Sequence, residues 1–227
     1  MCAIAQINQR EKGEKSRMTP IEEEVRETER VIVPVQANQD PVYRFVKRTF
    51  DILMALLAGA VLLIPMLIVG LLVRLETKGP AIFKQKRMGK HGKEFRIYKF
   101  RTMRTEAPSE MATREFTDAH KYITRIGGFL RRTSFDELPQ LLNILKGDMS
   151  FVGYRPVCVT ETNLNALRKE YGIFAVRPGL TGYAQVQGRD NIDYWTKAEL
   201  DAEYVSKRSI KLDLWCLLKT VTVIFEG

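Results

Sequence analysis

The sequence predicts an α+β fold in which a re-entrant, membrane-inserted helix is joined to a small cytosolic domain with a short β-hairpin and amphipathic interfacial helices. Three observations predict it. Ile52 to Val73 is a run of 22 residues without a charge. Gly89 and Gly92 supply a turn between two β-like runs, Ala81–Lys84 and Glu94–Phe100. Segments 135–146, 160–171 and 193–208 then read as helices, and Ile210 to Phe225 is apolar on most sides, as expected of a helix lying against a membrane.

The apolar run would extend about 33 Å as a helix, enough to cross a bilayer core. Two features argue against a single crossing. Pro65 lies inside the run and removes a backbone donor, so a kink is expected there. Both flanks are basic, with Arg44, Lys47 and Arg48 before and Arg74, Lys78, Lys84, Lys86 and Arg87 after. Positive flanks favour the cytoplasmic side, and one crossing cannot place both ends there. A helix bent at Pro65 that enters and leaves by one leaflet satisfies both.

The organisation expected is a polar arm over 1–40, a membrane-inserted helix with its flanks over 41–79, and a cytosolic domain over 80–227. The arm reads as a disordered leader or a short charged helix, and its polar start is unlike a secretory signal. Residues 105–120 read as a surface loop or short helix. Net charge is +9 overall, concentrated in residues 41–150, which hold 20 basic and 10 acidic side chains. Such a balance suits anionic lipid and phosphorylated substrates as well as nucleic acid. Nucleic acid leaves the apolar run unexplained, and no recognised nucleic-acid motif is present. Three scattered cysteines and two histidines make a zinc site or a disulfide framework an unsuitable reading.

Chemistry concentrates in three clusters. In Arg131-Arg132-Thr133-Ser134-Phe135-Asp136-Glu137-Leu138-Pro139, Pro139 is tolerated only in the first turn of a helix, so Asp136 and Glu137 fall at a helix N-terminus. Two readings stand side by side. Ser134 and Glu137 have the spacing of a capping box. Alternatively, a carboxylate kept ionised by the helix dipole suits a nucleophile, with Arg131 and Arg132 placed to offset a pyrophosphate. The second cluster is Arg177-Pro178-Gly179-Leu180-Thr181-Gly182-Tyr183-Ala184-Gln185, followed by Gly188-Arg189. It reads either as a Pro-Gly turn or as a loop whose glycines let backbone approach an anion while Arg177 and Arg189 grip phosphate. The third, Gly147 to Pro156, is a loop as a bare pattern. The basic, aromatic stretch Arg96–Arg104 is either a solvated strand face or a phosphate-binding edge.

The apolar run, Lys99-Phe100-Arg101-Thr102-Met103, Ser134 to Gln140, Lys146 to Gly153, Arg155-Pro156 and Arg177 to Gly182 stand in the order found in the bacterial sugar transferases. From about Tyr43 to Gly227 the chain resembles this family of monotopic polyprenyl-phosphate phosphoglycosyl transferases, and specifically its short members without an extra transmembrane bundle. The resemblance implies an Asp-Glu dyad at Asp136 and Glu137. The aspartate would attack the β-phosphate of a UDP-sugar, release UMP and hold a covalent phosphosugar, which the lipid phosphate then takes. It implies Mg2+ held by Asp136 and Glu137. It also implies substrate contacts from Arg131, Arg155, Arg177, Pro178, Gly179, Thr181, Gly182, Gln185, Arg189, Lys99 and Arg101.

The implied partners are a UDP-sugar, a polyprenyl phosphate, the cytoplasmic leaflet of the inner membrane and, in a homo-oligomer, a second copy of the chain, with no nucleic acid. The implied process is the first membrane step of polysaccharide or glycoconjugate synthesis, such as exopolysaccharide biosynthesis. Tyr154 departs from the family's usual proline and bears on the placement of Arg155. The competing class is a non-catalytic membrane-anchored phosphate-binding or scaffold protein. A metal-dependent glycosyl transferase is disfavoured because no D-x-D occurs.

Overall fold

A computed structural model of the chain describes residues 31–108, 118–188 and 192–225. Most of the polar arm, residues 109–117 of the expected surface loop, and Arg189 lie outside the described residues. Residues 34–227 form one compact unit.

Helix α1 spans Pro41–Glu76. Its start is set locally: Asp40 accepts a hydrogen bond from the Val42 amide at 2.9 Å, and Pro41 occupies the first turn, where a missing donor costs nothing. The helix is continuous through Pro65, so any redirection there is a bend within one helix. One stripe faces the rest of the unit. Ala55 and Ala58 join a cluster with Ile97, Leu141, Ile144 and Met149. Met66, Val69 and Val73 join a second with Phe100 and Leu130.

Most other large apolar side chains of α1 are exposed, and only 6% of its most apolar 18-residue stretch is buried. A core helix of a soluble protein would be mostly covered, so this surface is suited to lipid. Ala55 and Val73 are 18 residues apart, about 27 Å along a straight helix. Their clusters meet the same strand at Ile97 and Phe100, only about 10 Å apart. Both halves of the helix, before and after Pro65, thus pack on the same unit.

Strands β1 (Ile82–Met88) and β2 (Glu94–Phe100) pair antiparallel from Ile82↔Phe100 to Met88↔Glu94. The β2 expectation matches. The β1 expectation stopped short at Lys84, because Gln85-Lys86-Arg87 carries no strand signal and cross-strand pairing overrides propensity there. The connecting turn needs left-handed backbone, supplied by His91 (φ 59°) and Gly92 (φ 69°).

Helix α2 (Arg125–Thr133) is capped by Thr124, whose hydroxyl accepts from the Gly127 amide at 2.9 Å. A 3-10 helix, Phe135–Gln140, then leads into α3 (Leu141–Lys146), dividing the helix expected over 135–146. Strand β3 (Ser150–Val152) lies parallel to β4 (Gly179–Thr181). Helix α4 is Thr162–Glu170, α5 Tyr183–Gly188, α6 Tyr194–Lys207 and α7 Ile210–Phe225.

Tyr154 is fully buried, edge-on to Phe174 at 5.7 Å and stacked under the Arg168 guanidinium at 5.0 Å. The tyrosine that departs from the family pattern is thus core packing. Exposed Phe129, Phe135, Leu142, Leu214, Leu218 and Val221 give α2, α3 and α7 the apolar faces expected of interfacial helices.

Candidate active site

Ser134 turns the chain between α2 and the 3-10 helix in a left-handed conformation (φ 58°). Its side chain makes no capping hydrogen bond; its carbonyl accepts the Glu137 amide at 3.1 Å. The capping box that the spacing also allowed is therefore not formed. The Glu137 carboxylate turns away to two cations. Lys99 Nζ donates to Glu137 Oε1 at 2.6 Å, and Arg155 forks onto both Glu137 oxygens, Nη2 at 2.7 Å and Nη1 at 3.4 Å. β2 thus delivers Lys99 and the loop after β3 delivers Arg155.

The two adjacent acids diverge in charge preference. Burial pushes the Asp136 carboxyl up, Lys99 opposes that, and the neighbouring Glu137 charge adds to it. For Glu137 burial also acts upward, but the charges and hydrogen bonds of Arg155 and Lys99 together outweigh it and hold the carboxyl well below the usual range. Lys99 Nζ stands 3.7 Å from Asp136 Oδ2, too far for a hydrogen bond. Asp136 therefore presents a carboxylate with charged neighbours and no hydrogen-bond partner among the described residues. The influences that favour its anion are the charges of Lys99, then Arg131 and Arg155, and burial outweighs them.

Both acids line a cavity of about 1130 Å³, together with Lys99, Arg131, Arg155 and Gln185. That volume accommodates a nucleotide-sugar. Arg131 Nε donates to the Thr102 hydroxyl at 2.8 Å, and the carboxamide oxygen of Gln185 is buried without a hydrogen-bond partner among the described residues. Magnesium typically takes one or two carboxylates from a protein, with phosphate oxygens and water completing its shell. Asp136 and Glu137 are carboxylates of that kind, although both Glu137 oxygens already accept from Lys99 and Arg155. Among the described residues no group of three or more His, Cys, Asp or Glu forms a cage of its own.

Other expected contacts fall elsewhere. Arg101 lines the cavity, but its guanidinium donates to the Thr77 carbonyl at 2.8 Å and to those of Val73 and Lys78, closing the C-terminal end of α1. Arg177 lines a separate cavity and donates to the Gly147 carbonyl at 2.7 Å. The glycines do approach backbone, but the protein's own: a Cβ on Gly179 would stand 2.1 Å from the Gly153 nitrogen, and one on Gly182 1.9 Å from the Gly153 oxygen. They let β4 and the loop after β3 pack together. Pro178 leads into β4, with its carbonyl accepting the Ser150 amide at 2.9 Å. The Thr181 hydroxyl shares a hydrogen bond with Thr220 of α7 at 2.6 Å.

Sequence reasoning missed the far wall of the cavity, where Arg87, Glu161, Lys197, Arg168 and Asp201 gather. Arg168 and Asp201, with side chains 1% and 2% exposed, form an ion pair at 2.5 Å. These residues lie outside every motif; the docking of α4 on α6 brings Arg168 to Asp201, and β1 brings Arg87 within 3.8 Å of Glu161.

The family model described as bacterial sugar transferase matches residues 42–227. The chain is 39% identical over 195 residues to the UDP-N-acetylgalactosamine-undecaprenyl-phosphate N-acetylgalactosaminephosphotransferase of Aeromonas hydrophila, covering 82% of this chain and 45% of that protein. It is 38% identical over 197 residues to the undecaprenyl-phosphate galactose phosphotransferase of Salmonella typhimurium, covering 81% and 41%. It is 42% identical over 185 residues to the exopolysaccharide production protein PSS of Rhizobium leguminosarum, covering 77% and 92%. The chain thus spans less than half the length of the first two relatives and nearly all of the third. With its match running from the start of α1 to the last residue, the chain belongs to the bacterial sugar transferase family.

Proposed function

We propose that this protein transfers a sugar 1-phosphate from a UDP-sugar to undecaprenyl or another polyprenyl phosphate, with Asp136 as covalent nucleophile. The observation that carries the reading is the Asp136 carboxylate, without a hydrogen-bond partner among the described residues, beside a Glu137 clamped by Lys99 and Arg155, at the wall of a cavity of nucleotide-sugar size. The activities for which the Aeromonas and Salmonella relatives are named support the substrate classes. The Rhizobium relative supports a role in exopolysaccharide synthesis.

In the first step an Asp136 oxygen bonds to the β-phosphorus, and the bond from that phosphorus to the bridging oxygen breaks. UMP leaves with the bridging oxygen and its electron pair. In the second step an oxygen of the lipid phosphate bonds to the same phosphorus and frees the Asp136 carboxylate. Neither step requires a proton from the nucleophile, so a carboxylate suffices without a general base. Arg131 and Arg155 stand where phosphate charge must be balanced, and Glu137, held by its two cations, fixes Lys99 and Arg155 in place. Magnesium, when held by Asp136 and Glu137, would supply further neutralisation of the diphosphate.

The same reading places the protein at the cytoplasmic face of the inner membrane, with α1 entering and leaving one leaflet. It is supported by basic flanks at both ends of α1 and by the packing of both its halves on one domain. Mass spectrometry after brief exposure to a UDP-sugar without lipid acceptor tests the chemistry. A phosphosugar adduct is expected on the peptide containing Asp136. An adduct elsewhere, or UMP release undiminished in folded Asp136→Asn, would overturn the assignment and return the chain to a binding or scaffold role.

A further inference from the structure

A second cavity, of about 460 Å³, lies beside the N-terminal part of α1 and shares no lining residue with the first. Arg44, Lys47, Arg48, Lys90, Arg177 and Arg208 line it, against one carboxylate, Asp51. These cations come from four separate places: the first turns of α1, the hairpin tip, the segment before β4 and the α6–α7 junction. Few are neutralised. Lys47 pairs with Asp213 at 2.7 Å. Arg48 donates to the carbonyls of Ile144 and Leu145 at 2.8 and 3.0 Å, Arg177 to that of Gly147 and Arg208 to that of Asn38. Carbonyls satisfy donors but leave the charge standing. Arg44 reaches only Gln39, at 3.5 Å, and the Lys90 ammonium has no partner among the described residues.

Gathering like charges in a recess is unfavourable unless an anion offsets them. Burial, and then the charges of Arg177, Arg44 and Arg208, lower the Lys90 pKa. The location indicates the source of the anion. Exposed Val42, Phe45, Val46, Phe50 and Leu53 surround the same turns of α1, and the uncharged run begins at Ile52. A phosphate seated among these cations would have apolar side chains beside it, where acyl chains lie against a headgroup.

We propose that this cavity binds the phosphate of an anionic phospholipid headgroup, as a lipid site separate from the Asp136 cavity. It orients the domain on the leaflet through a specific headgroup contact in addition to the diffuse attraction of basic flanks. The claim does not depend on the transfer reaction, and its test needs no turnover.

The test uses the full chain in a neutral detergent, with native mass spectrometry as the readout. Three probes are titrated: dihexanoyl phosphatidylglycerol, dihexanoyl phosphatidylcholine and inorganic phosphate. Phosphatidylglycerol should bind saturably and more tightly than the other two. The double variant Arg44→Ala, Lys90→Ala removes two cations that bond to no carbonyl, and should bind it roughly ten-fold more weakly or worse. The charge-conserving double variant Arg44→Lys, Lys90→Arg should keep most of the affinity, which separates lost charge from lost fold. Unchanged phosphatidylglycerol binding in the alanine variant would overturn the site. Inorganic phosphate binding as tightly as the lipid would overturn the lipid as its occupant, and equal binding of phosphatidylcholine would overturn selectivity for anionic headgroups.

Discussion

Lys99 holds Glu137 at 2.6 Å while standing 3.7 Å from Asp136, so one ammonium serves two carboxylates whose protonation preferences diverge. Its charge is the strongest influence favouring the Asp136 anion. Lys99→Met should therefore raise the Asp136 pKa further. The acid limb of the kcat/KM profile should move to higher pH, and activity at neutral pH should fall roughly ten- to a hundred-fold. An unmoved acid limb would mean that Asp136 does not titrate in the rate.

Asp136→Asn should abolish turnover, by roughly a thousand-fold or more, while leaving the protein folded. The sign for stability is unusual. A carboxyl whose folded pKa is raised favours folding at low pH and opposes it once pH rises through that folded value. At neutral pH the variant should thus melt at the same temperature as the parent or higher. A clear fall in the melting temperature would show that the Asp136 anion is a structural asset.

Glu137→Gln should behave in the opposite way, because it leaves Lys99 and Arg155 facing an uncharged amide. A cost of about 1–3 kcal/mol is expected for these partly exposed pairs. The Glu137 carboxyl is lowered from its ordinary 4.5, so its contribution is fully present above that value and is lost as pH falls towards the folded one. Denaturant titrations should show the gap between parent and variant closing on acidification. A constant gap from neutral to acid pH would contradict this.

The Arg168–Asp201 pair is nearly inaccessible to solvent. Removing one partner leaves a buried charge, and Arg168→Met should cost about 3–5 kcal/mol. The double change Arg168→Met, Asp201→Leu should recover much of it. Chemical denaturation checks both, and equal losses in the single and double variants would point to Arg168 packing on Tyr154 as the whole effect.

Topology has a native reporter. Cys158 and Cys216 are buried, and burial pushes the Cys216 thiol up to about 12, so neither competes for a thiol reagent aimed at Cys2 of the N-terminal arm. In intact cells a membrane-impermeant thiol reagent should not label the protein. Pro65→Leu, which restores the missing backbone donor and favours a straight span, should render a fraction of Cys2 accessible. Labelling of the unmodified protein from outside would refute the re-entrant reading.

The sequence made local features legible where a residue's neighbours in the chain decide its conformation. The run Glu94–Phe100 coincides with β2, and the helix expected over 193–208 is found at Tyr194–Lys207. It could not show where side chains end up in space. Arg101 follows the last residue of β2, so strand alternation from Lys99 does not carry over to it, and it points at α1 instead. Gly179 and Gly182 signalled a close approach without revealing that the approaching group is Gly153 rather than an anion. Arg177 belongs to the same motif yet faces another cavity, because its guanidinium reaches back to the Gly147 carbonyl. The Ser134 spacing suited a cap, but left-handed backbone at that residue removes the geometry a cap requires.

The stripe of α1 that meets the domain has a practical consequence for anyone producing this protein. Ala55, Val69 and Val73 are not a tether; they complete the core around Ile97, Phe100 and Leu130. A truncation beginning near residue 80 would leave those three side chains bare and deprive Arg101 of the carbonyls it closes. Grafting the domain onto an unrelated hydrophobic anchor would do the same. A fragment without α1 should therefore aggregate, and a working preparation must carry that helix, with detergent or lipid covering its exposed apolar faces.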